Sequence, residues 1–205
     1  IQYWIRRGES RRTRFLSLEG AYHGDTFGAM AAGDPDPFFI DFSPFLFRVE
    51  RTPPDPQVIE EILKRQPGQF AAIILEPLVQ GAAGMQMYPP STLSKIRELC
   101  DQHDTLLIAD EVMTGFGRTG TLFACEQASI TPDLLCLAKG LTGGILPLAA
   151  TLVRESIYEA FLSTDRSRAF FHGHSFTANP IGCAVALASL KLMKEEATPD
   201  RLERI

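Results

Sequence analysis

"LLIADEVMTGFGRTG", Leu106–Gly120, opens on four apolar residues, stops on the adjacent carboxylates Asp110 and Glu111, and then turns to glycines around one arginine. A short apolar run closed by a polar, glycine-rich turn reads as a strand buried on both faces. A carboxylate at the end of such a strand is costly to desolvate, so Asp110 needs a proton or a cation beside it. The identity of that cation is the functional question the stretch raises.

The same pattern recurs along the chain. Phe15–Leu18, Phe70–Glu76, Thr105–Asp110 and Leu134–Ala138 are apolar runs ending in polar or glycine-rich turns, and a fifth, Leu148–Val153, follows a Gly-Gly turn. Between them, Pro56–Gln66 and Pro90–His103 place apolar residues at helical spacing (Val58, Ile59, Ile62, Leu63; Leu93, Ile96, Leu99, Cys100). A last helix is marked by Asn179 as cap, Pro180 in the first turn and the apolar run Ile181–Met193, whose Gly182, Ala184, Ala186 and Ala188 permit close packing. Strands alternating with helices predict an α/β fold with a mostly parallel sheet flanked by helices. The stretch from Gly33 to Pro56 has six prolines and little periodicity; its Phe38, Phe39, Phe42, Phe45 and Phe47 predict an ordered excursion with those rings covered.

The 205 residues are 45% hydrophobic and 22% charged, the composition of a globular protein, and there is no internal repeat. A net charge of -5 argues against a general nucleic-acid or membrane-surface binder, and Arg6, Arg7, Arg11, Arg12 and Arg14 read as a solvated helix end and turn. Cys100, Cys125, Cys136 and Cys183 show no metal-ligand spacing, which predicts reduced thiols and a cytoplasmic setting without a metal. No apolar run reaches the roughly 18 to 20 residues of a membrane span, and no charged-then-apolar leader opens the chain. The opening "IQYWIRRGES", without Met, reads as the end of a helix in a fragment of a longer protein.

Ligands of parallel α/β sheets bind at the carboxyl ends of the strands, which gathers Glu76, Asp110 and Lys139 on one edge. A lysine there can form a Schiff base, and an aspartate can keep a heteroaromatic nitrogen protonated, the two demands of pyridoxal phosphate. Spacing alone leaves open that Asp110 caps a turn and Lys139 is a solvated loop residue. No dinucleotide or Walker glycine pattern follows a strand, which argues against a nucleotide-binding domain.

"LLIADEVMTGFGRTG", "PDLLCLAKGLTGG" and "HGHSFTANPIGCAVA", in that order, resemble the class III, fold type I aminotransferases over nearly the whole chain. The resemblance implies residues 1–205 of a pyridoxal-phosphate-binding large domain, with an N-terminal segment and a C-terminal small domain outside them. It makes Lys139 the lysine that tethers the cofactor and moves protons, and Asp110 the partner of the ring nitrogen. It would put Val112 under the ring and Tyr22 of "YHGD" over it, with Tyr22 also serving catalysis and substrate binding. By the same resemblance Ser175 of "HGHSF" would reach the cofactor phosphate of the neighbouring subunit in a homodimer, with Gly173 close by at the substrate. Glu76 of "LEPLVQG" is a carboxylate at the cofactor, often arginine-paired in the family. Gln80 is a weaker carry-over, Arg118 lines the substrate region or orders the glycine-rich loop, and Asp25 and His23 have support roles, His23 a structural one.

"GAYHGDTFGAMAAGDP" and "KGLTGGILPLAAT" look most like the branch of the family that serves biotin synthesis, moving an amino group from S-adenosylmethionine to 8-amino-7-oxononanoate. An ornithine or 4-aminobutyrate aminotransferase, or a silent dimerisation module, is the alternative. Met113 departs from the glutamine many class III enzymes have after "DEV", and a thioether cannot donate to the cofactor's ring oxygen. The family's Gly-Ser phosphate turn and carboxylate-binding arginine lie outside residues 1–205, so this chain alone is expected to bind the cofactor weakly.

Overall fold

The computed structural model describes residues 1–196. Its elements in chain order are α1 (Gln2–Arg6), β1 (Arg14–Leu18), α2 (Phe27–Ala32), β2 (Glu50–Thr52), α3 (Pro56–Arg65), β3 (Phe70–Leu75), β4 (Val79–Gln80), β5 (Gln86–Met87), α4 (Pro90–Gln102), β6 (Leu106–Asp110), α5 (Ala124–Gln127), β7 (Leu134–Leu137), β8 (Ala150–Val153), α6 (Glu155–Glu159) and α7 (Pro180–Glu195). Six strands form one sheet in the order β2-β1-β3-β6-β7-β8, and β4 pairs with β5 in a separate hairpin. All neighbours in the large sheet are parallel except β7 and β8, which run antiparallel. An α/β unit with a mostly parallel sheet is what the alternating pattern predicts.

Helices pack on both faces of the sheet at its centre, as parallel strands require, while the edge strand β8 is largely exposed. On one face Ile73 and Leu75 of β3 and Leu107 of β6 pack with Ile59, Ile62 and Leu63 of α3 and Leu93, Ile96 and Leu99 of α4. On the other, Ala71 meets Trp4 of α1 and Ile157 of α6, and the Trp4 indole donates to the Ala71 carbonyl at 2.8 Å. Helix α3 starts where Asp55 accepts from the Gln57 amide at 2.8 Å and Pro56 takes the first turn. Asn179 caps α7 as expected, accepting from the Ile181 and Gly182 amides at 2.9 and 3.2 Å.

Three expectations fail for tertiary reasons. Arg12 is buried, its guanidinium 4.2 Å from the Trp4 ring centroid and paired with Glu9 and Asp104, so it belongs to the α1 packing rather than to a solvated turn. The excursion from Gly33 to Pro56 contains β2, a strand of Glu, Arg and Thr that no apolar pattern announces. Of its five phenylalanines only Phe39 is buried, while Phe38, Phe42, Phe45 and Phe47 are exposed. No helix among the described residues is long and apolar enough to cross a membrane.

Candidate active site

Four parallel strands deliver their carboxyl ends to one cavity of about 460 Å³, lined by Tyr22, His23, Gly24, Glu76, Gly81, Ala82, Met85, Asp110, Val112, Met113 and Lys139. Tyr22 and His23 lie on the loop after β1, Glu76 directly follows β3, Asp110 ends β6, and Lys139 opens the short 3-10 turn after β7. Five of the residues read from the sequence, Tyr22, Glu76, Asp110, Val112 and Lys139, therefore meet in one place.

Asp110 is 8% exposed, and each of its oxygens has one partner. Oδ1 accepts from the Val112 amide at 3.1 Å, and Oδ2 lies 2.8 Å from His23 Nδ1. The His23 side chain is 2% exposed and its Nε2 is buried without a hydrogen-bond partner. His23 thus holds the Asp110 carboxylate in orientation, a closer tie to the site than the structural role its sequence position implies. The two residues are 87 positions apart, and no local pattern links them.

The second carboxylate of the opening pair has a separate task. Glu111 is fully buried and accepts from the Ala124 amide at 2.7 Å, the Cys125 amide at 2.9 Å and the Thr114 hydroxyl at 3.1 Å. It ties the glycine-rich loop and the start of α5 to the end of β6. Strand alternation sends the neighbouring side chains apart, one toward the cavity and one behind it.

Glu76 joins two walls of the cavity. Oε1 accepts from the Tyr22 amide at 3.1 Å and Oε2 from the Gly81 amide at 3.0 Å. Burial pushes its carboxyl above the ordinary range, and the two amides only partly offset that. No arginine pairs with it among the described residues. The Tyr22 hydroxyl donates to Asp25 at 2.8 Å, and this bond pushes the phenol up; the ring stacks on Phe39 at 5.8 Å between centroids. Met113 faces the cavity against Gly81, where a Cβ would come 2.5 Å from its sulfur.

The remaining expected residues lie elsewhere. Gln80 is buried and donates to the Glu19 carbonyl at 2.8 Å, outside the cavity lining. Arg118 is exposed on the glycine-rich loop and also outside it. Gly173 and Ser175 are exposed, on the segment whose neighbours His174 and Phe176 line a second cavity of about 570 Å³ with Pro147 and Leu148.

The family model for "Aminotransferase class-III" matches residues 1–205. The chain belongs to the class-III aminotransferases. It is 46% identical to the adenosylmethionine-8-amino-7-oxononanoate aminotransferase of Geobacter sulfurreducens, across 96% of this chain and 48% of the relative. A solved structure of the enzyme of that name from Methanocaldococcus jannaschii superposes with a TM-score of 0.93 at 39% identity, covering 98% of this chain and 48% of the other. An amine transaminase from an uncultivated Pseudomonas species, solved in its PLP-bound form, gives 0.85 at 37% identity, covering 97% and 49%. This class-III aminotransferase chain spans about half the length of the curated relatives it matches.

The cavity's chemistry fits the cofactor of that last structure. One amine, two buried carboxylates held in orientation, one aromatic face and one β-branched side chain converge there, and Lys139 is the only Lys or Arg in the lining. The phosphate therefore needs donors beyond these residues.

Proposed function

We propose that the protein is a pyridoxal-phosphate-dependent aminotransferase that moves an amino group from S-adenosylmethionine to 8-amino-7-oxononanoate, giving 7,8-diaminopelargonate for biotin synthesis. The observation that carries the reading is the meeting of Lys139 and the oriented Asp110 in one cavity. The donor and acceptor are favoured by the names of relatives 40–48% identical to the chain.

When bound, pyridoxal phosphate supplies an aldehyde for an amine and a ring that, protonated on nitrogen, withdraws electrons from the bond being broken. Asp110 would keep that proton on the nitrogen, and His23 with the Val112 amide holds the Asp110 carboxylate in orientation for it. Lys139 is the residue that would hold the aldehyde, and its Nζ, the one amine in the cavity lining, would be the group that moves the proton there. Val112 and Tyr22 would flank the ring, with Asp25 and Phe39 setting the Tyr22 orientation. Glu76 keeps the Tyr22 loop and the β4–β5 hairpin together around the cavity.

In this reading the enzyme is a cytoplasmic homodimer in which Ser175 and Gly173 serve the neighbouring subunit's site, which fits the exposure of their segment. Its partners are small molecules rather than nucleic acid or membrane.

The test uses the full-length protein loaded with pyridoxal phosphate, to which S-adenosylmethionine, ornithine and 4-aminobutyrate are added separately while the visible cofactor band is followed. Loss of the band with S-adenosylmethionine alone supports the reading. Loss only with ornithine or 4-aminobutyrate keeps the class and overturns the donor, and failure to form a lysine-linked band points to a silent dimerisation module.

A further inference from the structure

Lys139 has a backbone φ of +44°, in the left-handed region that L residues other than glycine rarely enter. A conformation of that kind persists only where its surroundings over-determine it. The local hydrogen bonds hold the turn closed: the Leu141 amide donates to the Ala138 carbonyl at 3.0 Å and the Gly144 amide to the Lys139 carbonyl at 3.3 Å.

The tertiary constraint comes from the glycine-rich loop. A Cβ on Gly140 would lie 2.8 Å from both Cβ and Cδ2 of Phe116 and 3.0 Å from its Cγ. The root of the Phe116 side chain is thus pressed onto the backbone next to Lys139, at a spot only glycine can occupy. Phe116 is itself fixed. Its φ is +61°, its ring meets Phe123 edge-on at 5.7 Å, and on either side the Gly115 amide donates to the Glu111 carbonyl at 3.0 Å and the Gly117 amide to the Leu122 carbonyl at 3.2 Å. The Glu111 carboxylate anchors the far end of the same loop at Ala124 and Cys125.

We infer that Phe116 is a positioning residue for the reactive amine. Its contact with Gly140 keeps the backbone at Lys139 in the left-handed turn from which the side chain enters the cavity, and Glu111 holds Phe116 in place. Phe116 is not among the residues lining the cavity, so its effect passes through the Lys139 backbone. The inference rests on Lys139 being the amine that reacts.

The experiment uses the full-length protein without cofactor. Pyridoxal phosphate and a mild hydride donor are added, the rate of reductive attachment at each lysine is read by peptide mass spectrometry, and thermal midpoints are recorded before addition. Gly140→Ala is expected to slow attachment at Lys139 about 100-fold, the scale of a misplacement of roughly 1 Å, and Phe116→Gly, which removes the Cβ as well as the ring, about 10-fold. In the double variant of Gly140→Ala with Phe116→Gly the new methyl meets neither the Cβ nor the ring, so attachment recovers to the Phe116→Gly rate, a non-additivity that general destabilisation does not produce. Phe116→Leu, which keeps apolar bulk on Gly140, is expected to stay close to the unaltered rate and midpoint. Attachment at Lys139 at one rate in all variants, or a Gly140→Ala loss that the second substitution does not relieve, overturns the Phe116 inference alone. Attachment at another lysine in the unaltered protein overturns the assignment of Lys139 and the inference built on it.

Discussion

Replacing Glu111 with glutamine tests why a second carboxylate follows Asp110. The fully buried Glu111 carboxylate accepts three hydrogen bonds, from Ala124, Cys125 and Thr114. Glutamine can keep its oxygen toward the Ala124 amide and the Thr114 hydroxyl, but its NH2 then faces the Cys125 N–H, which is left without an acceptor. A hydrogen bond to a charged group contributes about 1.5–3 kcal/mol, and an orphaned buried donor costs about 1–3 kcal/mol, two views of one loss that overlap. A net destabilisation of about 3 kcal/mol is the working figure. At roughly 2–4 °C per kcal/mol for a domain of this size, the midpoint falls by about 6–12 °C. Differential scanning fluorimetry on the full-length protein reads that shift, and amide exchange at Cys125 localises it. A midpoint within about 1 °C of the unaltered protein, with Cys125 still protected, would refute the capping argument.

Four further outcomes follow from the same geometry. Asp110→Asn is expected to lower turnover about 100-fold or more, because an amide does not hold a positive ring nitrogen, whereas His23→Ala gives a smaller loss, both measured by steady-state kinetics on the loaded enzyme. The raised folded-state pKa of Glu76 makes its contribution to stability greatest below its ordinary value of 4.5 and lost as pH rises through the raised value, so the midpoint of the unaltered protein minus that of Glu76→Gln should fall across that window. Asp133→Ala removes the acceptor of the Arg97 guanidinium at 2.6 Å and of the Leu107 amide at 2.7 Å, and a loss of about 3–5 kcal/mol is expected from chemical denaturation. The 205-residue chain alone should bind pyridoxal phosphate more weakly than the full-length protein, since Lys139 is the only Lys or Arg in the cavity lining; equal affinity by equilibrium titration would contradict this.

Much of the fold and site was legible because it is written in local patterns. The apolar runs at Phe70 and Leu106 have no other stable place than a sheet covered on both sides, and Asp55–Pro56 and Asn179–Pro180 mark helix starts by chemistry that needs only neighbouring residues. Strand ends and residue type put Asp110 and Lys139 on one edge of the sheet, and only the family resemblance implied roles for them. β2 escaped notice because Glu50, Arg51 and Thr52 are a strand only by virtue of pairing with β1. Likewise nothing local told Leu148–Val153 to run against its neighbour, since direction depends on the path between β7 and β8.

The sequence by itself determined the alternation of strands and helices, the caps, and the presence of an acid and an amine at the carboxyl edge, since each depends on residues a few positions apart. Tertiary structure alone decided the order β2-β1-β3-β6-β7-β8, the pairing of His23 with Asp110, the buried seat of Arg12 on Trp4, and the contact between Phe116 and Gly140. These join segments distant along the chain, and their energies exist only once the backbone has brought the groups within contact distance.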